Sequence, residues 1–250
     1  MTEGAGLYIH VPFCSAICPY CDFAVQRGHA EAENNYLKAL TDEVQLWKDW
    51  SNPFDTIYLG GGTPSLVDVA RWQEVLATLR STLPFDNEPR LFFEANPEDV
   101  TRESVAAWKQ LGVSFLSLGV QSFDDRELKF LGRRHTGAQA TTAVQTCLAG
   151  GFDTVSIDLM FGLPAQSEAA LSASLDTLQG LAPQHVSCYQ LTVHDGTPFG
   201  RRRDRGKLTE LEEDAQAGHF ELVYAKLADG GWDAYEVSNF ATGGAHRSLH

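Results

Sequence analysis

The amino-acid sequence predicts an α/β fold in which six strand–helix units form a barrel or an open part-barrel. Short apolar runs alternate with segments of helical periodicity, and the runs are almost continuously apolar, which is typical of a parallel sheet covered on both faces. A chain of 250 residues is also about the length that an α/β barrel uses. We expect the six strands at residues 7–11, 56–59, 91–94, 115–120, 155–160 and 186–193.

The segments between these runs predict helices, because apolar residues recur there every three or four positions and give each helix one face to bury. The stripes are Tyr36, Leu37, Leu40, Val44 and Trp47; Trp72, Val75, Leu76, Leu79 and Leu83; Val105 and Trp108; Val144, Cys147 and Leu148; and Leu171, Leu175 and Leu178. Together, the six strand–helix units predict one core over residues 1–193.

The pattern loosens after the sixth strand, and residues 194–250 are expected to extend the core. Residues 194–207 hold three glycines and one proline and predict a long loop. A helix is expected from about residue 209 to 229, with Gly230 as its C-terminal cap, followed by one more strand over residues 232–240. We expect this extension to lead into a C-terminal region that is absent from the sequence.

Charge and cysteine content exclude several classes of protein. The chain has 19 Lys and Arg against 33 Asp and Glu, a net charge of −14, which argues against a nucleic-acid partner. No apolar run is long enough to span a membrane, and the first residues do not resemble a signal peptide. Five cysteines in such a chain do not predict a disulfide framework, so we expect a cytoplasmic protein with reduced thiols.

Polar or backbone-exposing residues follow the predicted strands one after another. Because parallel strands end at the same rim, we expect these residues to surround one site. In strand order they are Cys14, Cys18 and Cys21; residues 60–65, Gly-Gly-Gly-Thr-Pro-Ser; residues 94–97, Glu-Ala-Asn-Pro; Gln121 and Ser122; Asp158; and Tyr189 and Gln190.

The cysteine cluster is the most specific of these signals. A C-x₃-C-x₂-C spacing would fit one face of a helix, but Pro12 and Pro19 favour a loop, and reduced loop cysteines typically bind metal. A structural zinc site needs four ligands, with His10 as the one nearby candidate for the fourth. Three thiolates on a [4Fe–4S] cluster would instead leave one iron open. We favour the open cluster and keep zinc as the alternative. Two further cysteines, Cys147 and Cys188, are expected to be buried apolar side chains.

These residues resemble a known group of proteins. The three cysteines beside Tyr20 resemble the signature of the radical S-adenosylmethionine (SAM) enzymes, whose core is a partial (β/α)₆ barrel. The wider motifs resemble the oxygen-independent coproporphyrinogen III oxidase family. They are YIHVPFC over residues 8–14, GGGTP over 60–64, FEANP over 93–97, GVQSF over 119–123 and IDL over 157–159.

The resemblance implies a [4Fe–4S] cluster on Cys14, Cys18 and Cys21, with SAM on its open iron. It assigns the other positions to SAM. Tyr8 and Gly61 would line its methionine part; Gly62 and Thr63 would offer backbone and hydroxyl groups; Glu94 and Gln121 would bind polar groups; Arg133 would pair with a carboxylate; Asp158 would bind the ribose hydroxyls; and Tyr20 and Gln190 would flank the adenosine. Taken singly, each of these residues has a second interpretation. The glycine run is equally a tight turn, Glu94 and Asp158 would be paired structural acids, and Arg133 would be a surface charge.

Two departures point to the haem chaperone branch of this family. The oxidase branch has a fourth cysteine where this chain has Phe23, and it has a long segment ahead of the cluster, where only 13 residues precede Cys14 here. Residues 133–136 and 235–240 also resemble the chaperone branch. That branch has a His-Asn-x-x-Tyr motif associated with haem binding, and His250 would be its first residue.

The resemblance therefore implies a haem carrier with an acceptor protein, an electron donor, and membrane contact only through the acceptor. The alternatives are an oxidative decarboxylase of coproporphyrinogen III and a zinc-stabilised barrel without redox function. The basic residues 201–207 would meet porphyrin propionates in one interpretation, although a solvated loop is favoured.

Overall fold

The computed structural model describes residues 5–249, apart from the side chain of Asn87, and its body is a curved sheet with helices between successive strands. The strands are β1 Ala5–Val11, β2 Phe13–Cys14, β3 Gln26–Arg27, β4 Phe54–Gly61, β5 Phe85–Ala95, β6 Val113–Gln121, β7 Thr154–Phe161, β8 His185–Gln190, β9 Asp233–Ala234 and β10 Asn239–Ala241. The helices are α1 Ala30–Leu46, α2 Val69–Thr82, α3 Arg102–Leu111, α4 Asp125–Phe130, α5 Gly137–Leu148, α6 Glu168–Leu181, α7 Pro198–Asp204 and α8 Glu213–Asp229.

The sheet confirms the predicted partial (β/α)₆ barrel. Its order is β1-β4-β5-β6-β7-β8-β10-β9, so the six main strands are neighbours in chain order. All five pairs among those six strands are parallel. Strand β10 then runs antiparallel to β8, and β9 antiparallel to β10. The carboxyl ends of six strands therefore lie at one rim.

Helix ends are set by local chemistry as well as by apolar faces. Thr101 and Ser104 form a reciprocal capping box at the start of α3, and Thr136 and Gln139 do the same for α5. Most residues of the predicted stripes are buried or half-buried, and Trp108 has its ring centroid 5.5 Å from that of Phe93; Trp47, the last residue of the first stripe, instead follows α1 and is 54% exposed. The apolar helix faces thus cover the outer side of the barrel strands.

The extension departs from the sequence prediction in two places. The expected loop over residues 194–207 contains the helix α7, because Thr197 caps its first turn, Pro198 suits its first position and Phe199 is buried beneath it. The expected single strand over 232–240 is instead the pair β9 and β10, since the chain turns where Glu236 accepts a hydrogen bond from the Ser238 N–H.

Several predicted boundaries also move: β4 and β5, for example, begin at Phe54 and Phe85 rather than at residues 56 and 91. The sixth strand ends at Gln190 rather than at residue 193, and Leu191 and Val193 are buried in a small second apolar cluster with Phe199. Helix α8 begins at Glu213, four residues after the expected start. The prediction that Cys147 and Cys188 are buried apolar side chains is confirmed, since 0% and 2% of their surface is exposed.

The extension shares the core of the barrel. Strand β10 continues the sheet beyond β8, and the buried Trp232 donates its indole N–H to the Pro183 carbonyl at 3.0 Å. Leu227 and Phe240 are buried in the same apolar cluster as the barrel strands. Residues of the extension therefore complete one face of the barrel interior.

We predict that Leu227→Ala lowers the free energy of unfolding by about 2–5 kcal/mol, because it opens a cavity in the shared core. Chemical denaturation should still show one transition, since barrel and extension unfold together. Val237→Ala is the matched control: Val237 is 67% exposed, so its truncation should change stability by at most about 0.5 kcal/mol. Two separate transitions in Leu227→Ala would contradict a shared core.

Candidate functional site

A cavity of about 430 Å³ opens at the rim formed by the carboxyl ends of the strands. Nearly all the residues that the sequence singled out line it. They are Cys14, Cys18, Tyr20, Cys21, Gly61, Gly62, Thr63, Glu94, Gln121, Arg133, Asp158 and Gln190. The structure thus brings together residues that lie near the carboxyl end of, or after, each of the six main strands. The first strand contributes the cysteines that follow it.

The three cysteines lie on a loop held at both ends by backbone hydrogen bonds. The Gly28 N–H donates to the Cys14 carbonyl at 3.1 Å, and the Cys21 N–H donates to the Cys18 carbonyl at 3.2 Å. Cys18 and Cys21 are outside any helix, as the flanking prolines predict. All three thiols are half-buried, and burial raises the pKa of Cys14 and of Cys21. The loop therefore presents three thiols to one cavity.

Glycine is required where the end of β4 meets this loop. A Cβ on Gly62 would lie 2.6 Å from the Phe13 carbonyl oxygen and 2.7 Å from that of Val11. A Cβ on Gly61, whose φ is +108°, would lie 2.5 Å from Nδ1 of His10. His10 itself contacts the Ala24 carbonyl through Nε2 at 3.0 Å and does not line the cavity. The glycine run thus lets the backbones of two strand ends approach closely.

Glu94 is held by two donors at the base of the cavity. The Tyr58 hydroxyl donates to Oε1 at 2.7 Å, and the Gly61 N–H donates to Oε2 at 2.9 Å. Burial raises the pKa of Glu94, and these two hydrogen bonds lower it in part. Its orientation is therefore set by a neighbouring strand.

Asp158 lies on the other side of the cavity. Burial raises its pKa, and the charge of Glu94 raises it further, to about 7. The Ser117 hydroxyl donates to Oδ1 at 2.9 Å and opposes this shift. Two carboxyl groups that disfavour each other's charge therefore share one cavity, which is common at functional sites.

Arg133 places a cation between the acids and the cysteines. Its Nη2 donates to Asn96 Oδ1 at 2.5 Å and to the Gly119 carbonyl at 2.7 Å, and its Nη1 lies 3.5 Å from Cys18 Sγ. Nε is buried and has no hydrogen-bond partner among the residues that the structure describes. Arg133 is therefore not a solvated surface charge.

The remaining predicted residues have distinct settings. Gln121 ends β6 with φ of +68°, a strained backbone that is found mainly at functional sites and turns. Gln190 donates a hydrogen bond to Gln216 of α8. Tyr8 lies outside this cavity and lines a second one of about 280 Å³ inside the barrel. His250 lies outside the described residues.

Sequence reasoning missed two residues that shape the site, Tyr58 and Ser117, whose hydroxyl groups bind the two carboxyl groups. Asn96, which accepts from Arg133, and Tyr189, which lines both cavities, lie among the strand-end residues that the sequence indicated. Polar residues inside otherwise apolar strands were the available signal. The period of two places Tyr58, Ser117 and Tyr189 on the inner face of the barrel, where their partners lie on other strands.

Two features are absent from the part of the chain that the structure describes. Within residues 5–249, no three His, Cys, Asp or Glu side chains are arranged to hold a metal ion. In the same part of the chain, no helix has the length and apolar character needed to cross a membrane.

We predict that Asp158 lowers the free energy of unfolding as the pH rises from about 4 to about 7, whereas His185, whose pKa burial lowers to about 4, contributes in the opposite direction. The folded state keeps the Asp158 proton in this window, whereas the unfolded chain, with a pKa near 3.8, releases it. Asp158→Asn should remove the Asp158 contribution, so the free energy of unfolding should rise more steeply, or fall less steeply, with pH than in the wild type, as measured by denaturant titrations across the window. Asp153→Asn, at an exposed aspartate, is the control and should retain the wild-type slope. Equal slopes in all three proteins would contradict the raised pKa.

Comparisons with known proteins agree on the fold. Among solved structures, coproporphyrinogen III oxidase (HemN) from Escherichia coli superposes with a TM-score of 0.84 at 23% identity, over 94% of this chain and 55% of that one. An archaeal Elp3 from Methanocaldococcus infernus superposes with a TM-score of 0.61 at 18% identity, over 91% of this chain and 55% of that one. Both likenesses concern the fold alone.

Among curated proteins, the chain is similar to the heme chaperone HemW of Lactococcus lactis, with 35% identity over 95% of this chain and 62% of that protein. It is 34% identical to the Escherichia coli protein of the same name, over 95% of this chain and 63% of that protein. The chain thus spans less than two thirds of these relatives. The model of the Radical SAM superfamily matches residues 8–178, so the chain belongs to the radical SAM superfamily.

Proposed function

We propose that this chain binds a [4Fe–4S] cluster and SAM and belongs to a haem chaperone, which binds haem and transfers it to an acceptor protein. The observation that carries the proposal is one cavity whose lining combines the three cysteines with Glu94, Asp158 and Arg133. The two other cysteines, Cys147 and Cys188, are buried in the core. Three thiolates leave one iron of such a cluster open to a further ligand.

The residues present fit these groups. A cluster takes each thiolate on a different iron, so its three cysteines need not surround a single point, as the ligands of one zinc ion must. The buried Nε of Arg133 has no partner within residues 5–249, and the thiol set lies beside it. His10, the fourth zinc ligand considered from the sequence, contacts Ala24 instead. These observations favour the cluster over zinc.

When bound, the cluster and SAM supply one-electron reduction of the sulfonium. The protein's own residues hold and orient them. Cys14, Cys18 and Cys21 would hold the cluster. Gly62 and Thr63 would offer backbone and hydroxyl groups at close approach to SAM. Glu94 and Asp158 would bind its amino and hydroxyl groups, and Arg133 would offer its guanidinium to a carboxylate. Gln121, Tyr20 and Gln190 would line the adenosine side.

The haem part of the proposal rests on the named relatives and on Phe23. Phe23 occupies the position after Asp22 where the oxidase branch has a fourth cysteine, and its side chain is 62% exposed. Haem would be the ligand, with His250 as one candidate for contact with its iron, and a separate protein would accept it. An electron donor and a cytoplasmic location complete the proposal. The alternative is an oxidative decarboxylase of coproporphyrinogen III.

We predict that anaerobic reconstitution yields a brown protein with about four irons and four sulfides per chain. Replacing Cys14, Cys18 or Cys21 by Ala should abolish the cluster, because each thiolate holds a different iron. Cys147→Ala and Cys188→Ala are matched controls that should retain it, since both side chains are buried in the core. Iron and sulfide assays with visible spectra measure this. Stable zinc without sulfide would contradict it.

We predict that the loaded protein binds haem and does not convert coproporphyrinogen III. Haem absorption should be titrated with the cluster, reductant and SAM present, and product should be followed by chromatography. His250→Ala should weaken the haem band, and His29→Ala, at an exposed histidine outside the cavity lining, should leave it unchanged. Turnover of coproporphyrinogen III over many cycles would establish the oxidase alternative instead.

A further inference from the structure

Arg133 holds one nitrogen of its guanidinium beside a cysteine of the loop. Nη1 donates to Cys18 Sγ at 3.5 Å, which is within the range of an N–H···S hydrogen bond. The other side-chain contacts of Arg133 are with the Asn96 amide oxygen and the Gly119 carbonyl, and both partners are neutral. Within residues 5–249, none of its hydrogen-bond partners is a carboxylate, so the thiol faces a cation whose charge no direct contact offsets.

The end of α4 fixes the backbone of Arg133 against the cysteine loop. Gly132 has a φ of +70°, and a Cβ there would lie 2.8 Å from Cδ of Pro19, so the chain leaves the helix in direct contact with the loop. The Arg133 N–H then donates to the Leu128 carbonyl at 2.9 Å. Because Pro19 follows Cys18 directly, this approach brings the guanidinium and the thiol together.

The guanidinium is also held in one orientation. Nη2 is bound at the ends of two strands, since Asn96 follows β5 and Gly119 belongs to β6. An arginine side chain presents its donors in a rigid plane, so the contacts of Nη2 also fix the direction of Nη1. A lysine, with a single nitrogen, would not reproduce both sets of contacts. The contact with Cys18 therefore depends on arginine at this position.

We propose that Arg133 raises the reduction potential of the [4Fe–4S] cluster through its contact with Cys18. The proposal rests on the proposed function, because it requires that these cysteines hold a cluster. Reduction adds one electron, and so one negative charge, to the cluster and its thiolates, and no bond forms or breaks. A cation beside a thiolate stabilises this added charge, and hydrogen bonds to the sulfurs are among the factors that set cluster potentials.

Other charges around the cavity act in the opposite direction. Glu94 and Asp158 line the same cavity, and once ionised they disfavour a further negative charge on the cluster. Of the two arginines that line the cavity, Arg134 is already paired, with Nη2 3.1 Å from Glu98 Oε1. Arg133 is therefore the arginine of this lining whose charge acts directly on a cluster ligand.

A purely structural role for Arg133 predicts a different result. Its contacts with Asn96 and Gly119 tie together the ends of β5 and β6. If Arg133 served this purpose alone, its loss would lower the free energy of unfolding or the iron content. The potential of the clusters that still assemble would then stay unchanged, so the potential separates the two roles.

The test is a redox titration of the reconstituted chain without SAM, so that no ligand carboxylate contacts Arg133. The cluster is poised anaerobically with dithionite and dye mediators, and the reduced fraction is read from its EPR signal. We expect Arg133→Gln to lower the ratio of reduced to oxidised cluster at a fixed solution potential about tenfold, which is about 59 mV for one electron. Arg134→Gln is the matched control, because it removes the same charge from the same cavity lining but no contact with Cys18. Its ratio should stay within about twofold of wild type.

An unchanged ratio in Arg133→Gln would overturn the proposal, and so would equal falls in Arg133→Gln and Arg134→Gln, which would assign the effect to the overall charge of the cavity. If Arg133→Gln assembles no cluster, Arg133→Lys provides the test, since it keeps the charge and loses the fixed contact of Nη1. Its ratio should fall severalfold, and a ratio equal to that of wild type would overturn the proposal. Failure of the wild-type chain to bind about four irons and four sulfides would instead contradict the proposed function, and these assays precede the titration.

Discussion

The site depends on one close approach between two strand ends. Where β1 and β4 leave the sheet, the Gly62 N–H donates to the Val11 carbonyl at 2.7 Å, and no side chain fits between Gly62 and Phe13. This contact fixes where the cysteine loop begins. It also places the neighbouring Gly61 N–H where Glu94 accepts it. The cysteine loop and the Glu94 carboxylate are therefore positioned by the same few backbone atoms.

Three charged groups of the cavity, Arg133, Glu94 and Asp158, are held by neutral hydrogen-bond partners. Arg133 donates to the Asn96 amide and the Gly119 carbonyl, while Tyr58 and Ser117 hydroxyls donate to the two carboxyl groups. Each charged group thus keeps capacity for a further partner. A cavity whose lining includes Arg133 and the two acids of raised pKa, Glu94 and Asp158, suits a ligand that carries charges of both signs.

The extension supports the site from one side. Its helix α7 packs Phe199 under the cysteine loop, and α8 reaches Gln190 through Gln216. Because β10 also continues the barrel sheet, these supports are tied to the same core as the strands. The exposed basic face of α7 is consequently held in a fixed position beside the cavity. Stability and the shape of the site are therefore linked through the extension.

Much of this arrangement follows from the sequence by itself. Continuous apolar runs determined the six parallel strands, and the prolines beside Cys14 and Cys18 determined a loop. A parallel sheet brings its strand ends to one rim whatever its details, so the convergence of Glu94 and Asp158 was predictable. Local rules of this kind need no knowledge of distant contacts.

Other features were decided only by the tertiary structure. Helix α7 forms in a segment rich in glycine because Phe199 finds a buried site that the local sequence does not reveal. Tyr8 lines the second cavity together with Tyr58, its partner on the neighbouring strand β4, and so does not reach the rim. Tyr58 and Ser117 have roles only through partners on other strands. These outcomes depend on contacts between residues far apart in the chain, and local propensity carries no information about them.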